Sequence, residues 1–294
     1  MSNRFKTIGL IGKYRSEGVI DTLQAVQEYL DSRKLKMVIE AETAKPLGTH
    51  NLPVYSKDEL GKDCDLIIVV GGDGSMLNAS LTALKYDRPI LGINRGRLGF
   101  LTDIHPTEIK TKLGEILDGH YKEEFRLMLD THIERQNQHA VHGIALNDFV
   151  LSNASAARMV EFEISIDHQF VCSQRADGLI VTTPTGSTAY ALSGGGPIMH
   201  PSLEAVALVP MFPHTLSSRP IVINASSKIH IHISEHNSFS PNFSCDGHTP
   251  HEVKPGDNIY IQRNKNQLRL IHPVDYNYYE TLRVKMQWET RHSC

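Results

Sequence analysis

Three stretches of this 294-residue chain carry residue types that handle phosphate and hydroxyl groups. The sharpest is Gly71-Gly72-Asp73-Gly74-Ser75, placed directly after an all-apolar run, LIIVV, and directly before an amphipathic stretch. Glycines after a strand let backbone N–H groups approach a phosphate, and the N-terminus of the following helix favours an anion. An aspartate in such a loop repels phosphate, so its chemistry points to a hydroxyl instead. An ionised carboxylate accepts or orients the proton of a sugar hydroxyl while a phosphoryl group arrives from the glycine side. The competing reading is an Asp that caps the helix.

The second stretch runs from Arg175-Ala176-Asp177-Gly178 through a short apolar segment to TTPTGSTAYALSGGGP, residues 182–197. Hydroxyls crowd a short helix start at Ser187-Thr188, and three glycines end it. Orphan N–H groups with Ser and Thr hydroxyls make a polar wall suited to ribose, adenine edges or phosphate; the plainer alternative is a capped turn between strand and helix. The third is Asn147-Asp148 inside an otherwise apolar run. An adjacent amide and carboxylate suit the vicinal hydroxyls of a ribose, and equally suit a polar break in a strand. Other chemistries find less support. There is no GxxxxGK[ST], and GLIG at 9–12 is not GxGxxG, so neither a P-loop enzyme nor a redox dinucleotide fold is indicated. His230 and His232 share one face of KIHIHISEH with Glu235 nearby, which is either a metal site or, in the ordinary case, the solvated face of a strand.

The elements that must position these groups read in two halves. Strands are predicted at 5–11, 36–40, 66–70 and 89–93, and helices at 17–34, 75–85 and 106–117, from helical spacing such as Val19, Leu23, Val26 and Leu30. A run apolar throughout, such as LIIVV, marks a strand covered on both faces. Strand–helix alternation predicts a parallel sheet with flanking helices. From about 125 to 270 the period becomes two, with strands predicted at 146–151, 161–167, 169–172, 179–181, 221–223, 228–233, 259–262 and 268–271, and Pro255-Gly256-Asp257 as a turn. Residues 276–288 have weak helical spacing. The expected fold class is therefore an α/β N-terminal domain (1–124), a β-rich C-terminal domain (125–270), and a segment (271–294) that packs back on the first.

Composition agrees with a globular protein: 40% hydrophobic, 21% charged, 30 basic against 33 acidic residues, net charge −3. This excludes disorder and collagen-like or coiled-coil classes. Near-neutral charge argues against a nucleic-acid or acidic-membrane binder. Cys64, Cys172, Cys245 and Cys294 form no CxxC pair, so free thiols in a reducing compartment are expected. No apolar run has the length of a signal peptide core or a membrane span, and the expected location is the cytoplasm.

Taken together, GGDGS at 71–75, NRGRLGFLTD at 94–103, Asn147-Asp148, SQRADGLIVTTPTGSTAYALSGGGPI at 173–198 and LVPMFPHTLSSRPIVI at 208–223 resemble the bacterial NAD kinases, the ATP- or polyphosphate-dependent NAD kinase family. The resemblance covers residues 5–288. GGDG by itself is shared with phosphofructokinases and lipid kinases, whereas the TPTGSTAY–GGGP block is specific. A lipid kinase would want a membrane-binding surface, and no basic amphipathic helix is present. A sugar-phosphate kinase would want clustered Arg, for which Arg95, Arg97 and Arg175 offer little. A non-catalytic NAD sensor would not need Asp73.

The resemblance implies transfer of the γ-phosphoryl group of ATP, or in some members polyphosphate, to the 2′-hydroxyl of the adenosine ribose of NAD. It implies Mg2+ or another divalent cation carried with ATP, a site between the two domains, and homo-oligomers of two or four chains. Asp73 is then the catalytic carboxylate, as general base or hydroxyl-orienting group, with Gly72 and Gly74 in its loop. Asn147 and Asp148 hold ribose hydroxyls. Arg175 and Asp177 lie near the nicotinamide end or at a subunit contact. Thr185, Ser187, Thr188, Ala189, Tyr190 and Ser193 wrap the adenosine part. Asn78, Phe100, Arg158 and Phe212 complete the binding set. Two departures stand out: Asp148 where the family has Glu, one methylene shorter, and His248 near a position where the family often has a Gln.

Overall fold

The computed structural model describes residues 5–12, 18–47, 50–95, 98–136, 138–153 and 158–288, with 138–140 as backbone only. The expected helix start at Glu17, Arg97 of the rival sugar-phosphate reading, and Cys294 lie outside the described residues. Chain contacts divide the molecule into two compact units, Met1–Phe125 with Leu268–Cys294, and Arg126–Gln267.

The first unit opens with β1 (Thr7–Gly12), α1 (Val19–Ser32), β2 (Lys36–Glu40), α2 (Ala41–Ala44), β3 (Val54–Tyr55) and α3 (Lys57–Asp63). It continues with β4 (Leu66–Val70), α4 (Asp73–Lys85), β5 (Ile90–Ile93), α5 (Gly114–Leu117) and β6 (Lys122–Arg126). The second unit holds β7 (Leu129–Arg135), β8 (Gln138–Ala145), β9 (Asp148–Ser152), β10 (Val160–Ile166), β11 (Gln169–Ala176), β12 (Gly178–Thr182), α6 (Tyr190–Ser193) and β13 (Ala205–Met211). After them come β14 (Ile221–Asn224), β15 (Ile229–Ile233), β16 (Asn242–Cys245), β17 (His251–Glu252) and β18 (Asn258–Arg263). The chain then returns to the first unit as β19 (Leu268–His272) and α7 (Tyr278–Met286).

Among the described residues the first unit is built on a seven-stranded sheet of order β3-β2-β1-β4-β5-β19-β6. The pairs β1–β2, β1–β4, β4–β5 and β5–β19 are parallel. The four apolar positions of α1 that the spacing singles out, Val19, Leu23, Val26 and Leu30, are all buried in one core with Leu10, Ile39, Ile68 and Ile93. Every residue of β4 is buried, as its unbroken apolar run requires of a strand covered on both faces. The strand order reverses at β1, between β2 and β4. The carboxyl ends of strands at such a reversal are where open α/β sheets bind ligands, and α4 begins there.

Among the described residues the second unit is a sandwich of two antiparallel six-stranded sheets, β11-β10-β15-β18-β7-β8 and β14-β13-β12-β9-β16-β17. Phe162, Ile164, Ile231, Ile259 and Ile133 of one sheet and Phe149, Leu151, Leu179, Val181 and Leu208 of the other share its core. Phe149 and Phe243 stack there at 5.4 Å between ring centroids. The far face of β9, β12 and β13 is also covered, with Val150, Ile180, Ala207 and Val209 packed beside Ala191 and Met199. This explains why these strands are apolar on both faces and the outer ones alternate.

Several predicted elements differ in the structure. Residues 106–117 form not one α-helix but a 3-10 turn, a π turn and α5. A reciprocal cap between His105 and Glu108 sets a tight start, while Ile109, Leu113, Ile116 and Leu117 still face the core. The strand predicted over 146–151 begins only at Asp148, because the amides of Leu146 and Asn147 are taken by the Asp246 carboxylate instead of a ladder. The helix predicted from Ser75 begins at Asp73. The strand predicted over 268–271, read with the β-rich stretch, pairs parallel with β5 in the first unit, Leu270 opposite Ile90. Among the described residues no helix is long and apolar enough to cross a membrane, and Cys64, Cys172 and Cys245 are free thiols.

Candidate active site

In the first unit the site forms around the start of α4. Gly72 is the N-cap and makes no side-chain cap bond. Asp73 does not turn back on its own helix: its Oδ2 accepts the Phe100 amide at 3.1 Å and its Oδ1 the Leu101 amide at 3.0 Å. The carboxylate is thus aimed by a segment 27 residues away, and the capping alternative does not hold. Gly99 makes the approach possible, since a Cβ there would lie 2.3 Å from Asp73 Oδ1. The segment in turn lies tight on β5, where a Cβ on Gly92 would meet the Leu101 carbonyl at 2.4 Å.

Two hollows flank this helix start. One, of about 560 Å3, is polar and is lined by Gly71, Gly72, Asp73, Gly99, Arg95 and Lys285. Amides at the head of a helix with two cationic side chains suit a multiply charged phosphate chain. The other, of about 260 Å3, is lined by Gly74, Ser75, Asn78, Glu40, Glu42 and Lys57. Asn78 Oδ1 accepts from the Lys57 ammonium there. Phe100 rests its ring against Tyr278 of α7, 6.4 Å between centroids.

In the second unit Asn147 and Asp148 sit at a junction organised by Asp246. The Asp246 carboxylate accepts the amides of Leu146 and Asn147 at 2.8 Å each and of Asp148 at 3.1 Å. The Asn147 carbonyl accepts the Thr183 amide at 2.8 Å and the Thr182 hydroxyl at 3.1 Å. Asp148 is 4% exposed. Burial, and secondarily the nearby Asp246 charge, push its carboxyl up to about 7. Burial raises Asp246 too, against the pull of its three amide donors.

The Ser/Thr-rich stretch separates into a supporting part and an exposed part. Ser187 is fully buried; its hydroxyl donates to the Pro184 carbonyl at 2.7 Å and accepts the Met199 amide at 2.9 Å. It braces the loop. Thr185 Oγ1 accepts from the buried guanidinium of Arg126 at 3.3 Å, and the Thr188 hydroxyl donates to the Thr185 carbonyl. Ala189 makes the bend into α6. Tyr190, Ser193 and Phe212 line a hollow of about 400 Å3 with Met211, Ser218 and Arg219. Phe212 is 80% exposed and holds a left-handed backbone, φ 44°. Arg175 pairs with Glu161 across β10 and β11 at 2.8 Å. Asp177 stands exposed in the turn before β12. Arg158 lies over the Phe239 ring, 6.0 Å from its centroid. His230 and His232 both meet Asn258 Oδ1, at 2.8 and 3.0 Å, and His230 stacks on Tyr260, so the sheet face takes them up. Among the described residues no three His, Cys, Asp or Glu side chains are arranged to hold a metal ion.

Residues 8–121 match the family model described as the ATP-NAD kinase N-terminal domain, and residues 146–273 match the ATP-NAD kinase C-terminal domain. The chain belongs to the NAD kinase family. It is 52% identical over 287 residues to an NAD kinase of Chromohalobacter salexigens, covering 98% of both chains. It is 54% identical over 287 residues to one of Coxiella burnetii, covering 98% of this chain and 96% of that one. Among solved structures, yeast NADH kinase complexed with NADH superposes with a TM-score of 0.88 at 22% identity, over 98% of this chain and 89% of that one. An NAD kinase from Archaeoglobus fulgidus in complex with ATP gives 0.71 at 24% identity, over 96% and 97%. At those identities the likeness is one of fold.

Within this NAD kinase family fold, several residues of the candidate site carry no local signal. Gly99 is an ordinary glycine in sequence, and Lys285 reads as one more cation on an amphipathic helix. Arg126 ends the charged edge strand β6, yet it is 1% exposed. Asp246 lies in the turn Cys245-Asp246-Gly247-His248, where Asp and Gly are the common turn residues, and nothing there points to Asn147. His248 is exposed beside it, and its charge draws the Asp246 carboxyl slightly down.

Proposed function

We propose that this protein transfers the γ-phosphoryl group of ATP to the 2′-hydroxyl of the adenosine ribose of NAD, giving NADP. Family membership supports the pair of substrates. The observation that carries the chemistry is the Asp73 carboxylate, held by the Phe100 and Leu101 amides in the wall of a hollow that also exposes Gly71, Gly72, Arg95 and Lys285.

A carboxylate has about four lone-pair directions, and the two amides occupy two. The others remain for the acceptor hydroxyl, whose oxygen Asp73 points at the phosphorus. The 2′-oxygen forms its bond to the γ-phosphorus as the bond to the β–γ bridging oxygen breaks. ADP leaves, and the hydroxyl proton passes late to Asp73 and then to water. The amides at the head of α4, with Arg95 and Lys285, take up the charge of the phosphates. The described residues do not make a cage for a resident metal. Mg2+, or another divalent cation, would be carried on the phosphates of ATP, where it would offset their charge.

In the second unit the same reading gives Asn147 and Asp148 to ribose hydroxyls, and the hollow at Tyr190, Ser193 and Phe212 to a flat ring of the dinucleotide. Thr185 and Thr188 go to the adenosine part as well. Arg175 and Asp177 go to the nicotinamide end or a subunit contact. Polyphosphate is the alternative donor. Resemblance to the bacterial enzymes supports a cytoplasmic homo-oligomer of two or four chains, which light scattering checks. The deciding experiment incubates the protein with NAD and Mg-ATP and assays NADP enzymatically. Appearance of NADP with matching ADP supports the reading, and its absence under all pairings of NAD or NADH with ATP or polyphosphate rejects it.

A further inference from the structure

The buried cluster around His272 has no part in the chemistry above. His272, the last residue of β19, is 1% exposed. Its Nδ1 is hydrogen-bonded to Asp103 Oδ2, and its Nε2 stands 3.0 Å from Glu124 Oε2. The ring stacks on Tyr276, 4.0 Å between centroids and 12° from parallel. Leaving one partner of the buried His272–Asp103 hydrogen bond alone is costly, so these two side chains hold one another in place.

Asp103 closes the segment whose amides carry Asp73. The Gly99 amide bonds to the Thr102 carbonyl, and the Asn94 amide to the Ile104 carbonyl, so 99–104 is a tight bend anchored at its base on β5. The His272–Asp103 bond is a side-chain anchor at the same bend, reaching it from β19, which lies next to β5 in the sheet. We propose that His272 is a positioning residue for phosphoryl transfer: by holding Asp103 it fixes the bend, and through the Phe100 and Leu101 amides it fixes the direction of the Asp73 carboxylate. The proposal rests on the role given to Asp73 under the function above. A misplacement of about 1 Å at a reacting group can cost turnover about 10²-fold, which is the scale on which such an anchor acts.

The test compares wild type, His272→Gln and Asp103→Asn, each also in an Asp73→Asn background. It measures turnover at saturating NAD and Mg-ATP, KM for both, thermal unfolding, and hydrogen exchange of the Phe100 and Leu101 amides. The expected result is a turnover loss of about 10- to 100-fold with KM for NAD within about threefold. In the Asp73→Asn background the second substitution should cost less than about twofold, because residues that act as a unit are non-additive. Faster exchange at Phe100 and Leu101, with α1 unchanged, accompanies it. Wild-type turnover in either folded variant, or the same fold loss with and without Asp73, overturns the proposal. If His272→Gln does not fold, Asp103→Asn carries the same comparisons from the other side of the bond. If the wild type makes no NADP, the functional reading fails, and the exchange measurement still decides whether His272 holds the bend.

Discussion

Asp73 and Gly99 are fitted to each other: a Cβ on Gly99 would stand 2.3 Å from Asp73 Oδ1, inside any real contact distance. The carboxylate occupies the space that a side chain would fill, and the amides of the next two residues hold it there. Gly99→Ala must therefore push the carboxylate off its two donors. The expected outcome is a fall in kcat of about 10- to 100-fold, with KM for NAD changed much less. Steady-state kinetics checks this, and an Ala variant with full turnover would show that the orientation of Asp73 does not matter.

Asp73→Asn keeps the shape and one acceptor oxygen but cannot take a proton. NAD should still bind, and turnover should fall by about 10²-fold or more, the range of general-base catalysis. Calorimetry with NAD and an NADP assay on the same preparation separate the two effects.

Lys285 and Arg95 face the hollow that Asp73 shares with the glycine loop. If that hollow takes the donor's phosphates, Lys285→Ala raises KM for Mg-ATP by about tenfold, the loss of a charge-assisted contact, and leaves KM for NAD within about twofold. A rise confined to the NAD KM would move the acceptor, not the donor, into this hollow.

Asp148 makes stability depend on pH with a definite sign. Its carboxyl is raised from 3.8 to about 7 in the folded chain. Between those values the folded state holds a proton that the unfolded state has lost. The stability it contributes is therefore full below the unfolded value and disappears as pH rises through about 7. Each tenfold change in the proton affinity of a group corresponds to about 1.4 kcal/mol. Asp148→Asn removes this dependence. The melting temperature of the variant should exceed that of wild type at pH 8, and the difference should shrink toward pH 5. A difference that grows on acidification would mean that the carboxylate is stabilised, not strained, by its burial.

The local character of the chain was legible without coordinates. LIIVV is a strand buried on both faces, the 3–4 spacing of Val19 to Leu30 is the inner stripe of α1, and EFEISI alternates across β10. These follow from periods of 3.6 and 2, which a side chain and its near neighbours settle among themselves. The glycine–aspartate loop and the Asn-Asp break announced themselves because polar groups are out of place in apolar runs.

Tertiary structure decided what those groups face. Only the folded chain brings the Phe100 and Leu101 amides to Asp73 and the Asp246 carboxylate to the amides at 146–148. It also sets His272 against Asp103, 169 residues away, and places β19 in the parallel sheet beside β5. A period reveals which face of an element is apolar, but it carries no information about which distant segment will cover that face. Likewise, a carboxylate's partners are fixed by where the backbone passes and not by the residues beside it in sequence. The residue types were therefore written in the sequence, and their orientation was left to packing over long chain separations.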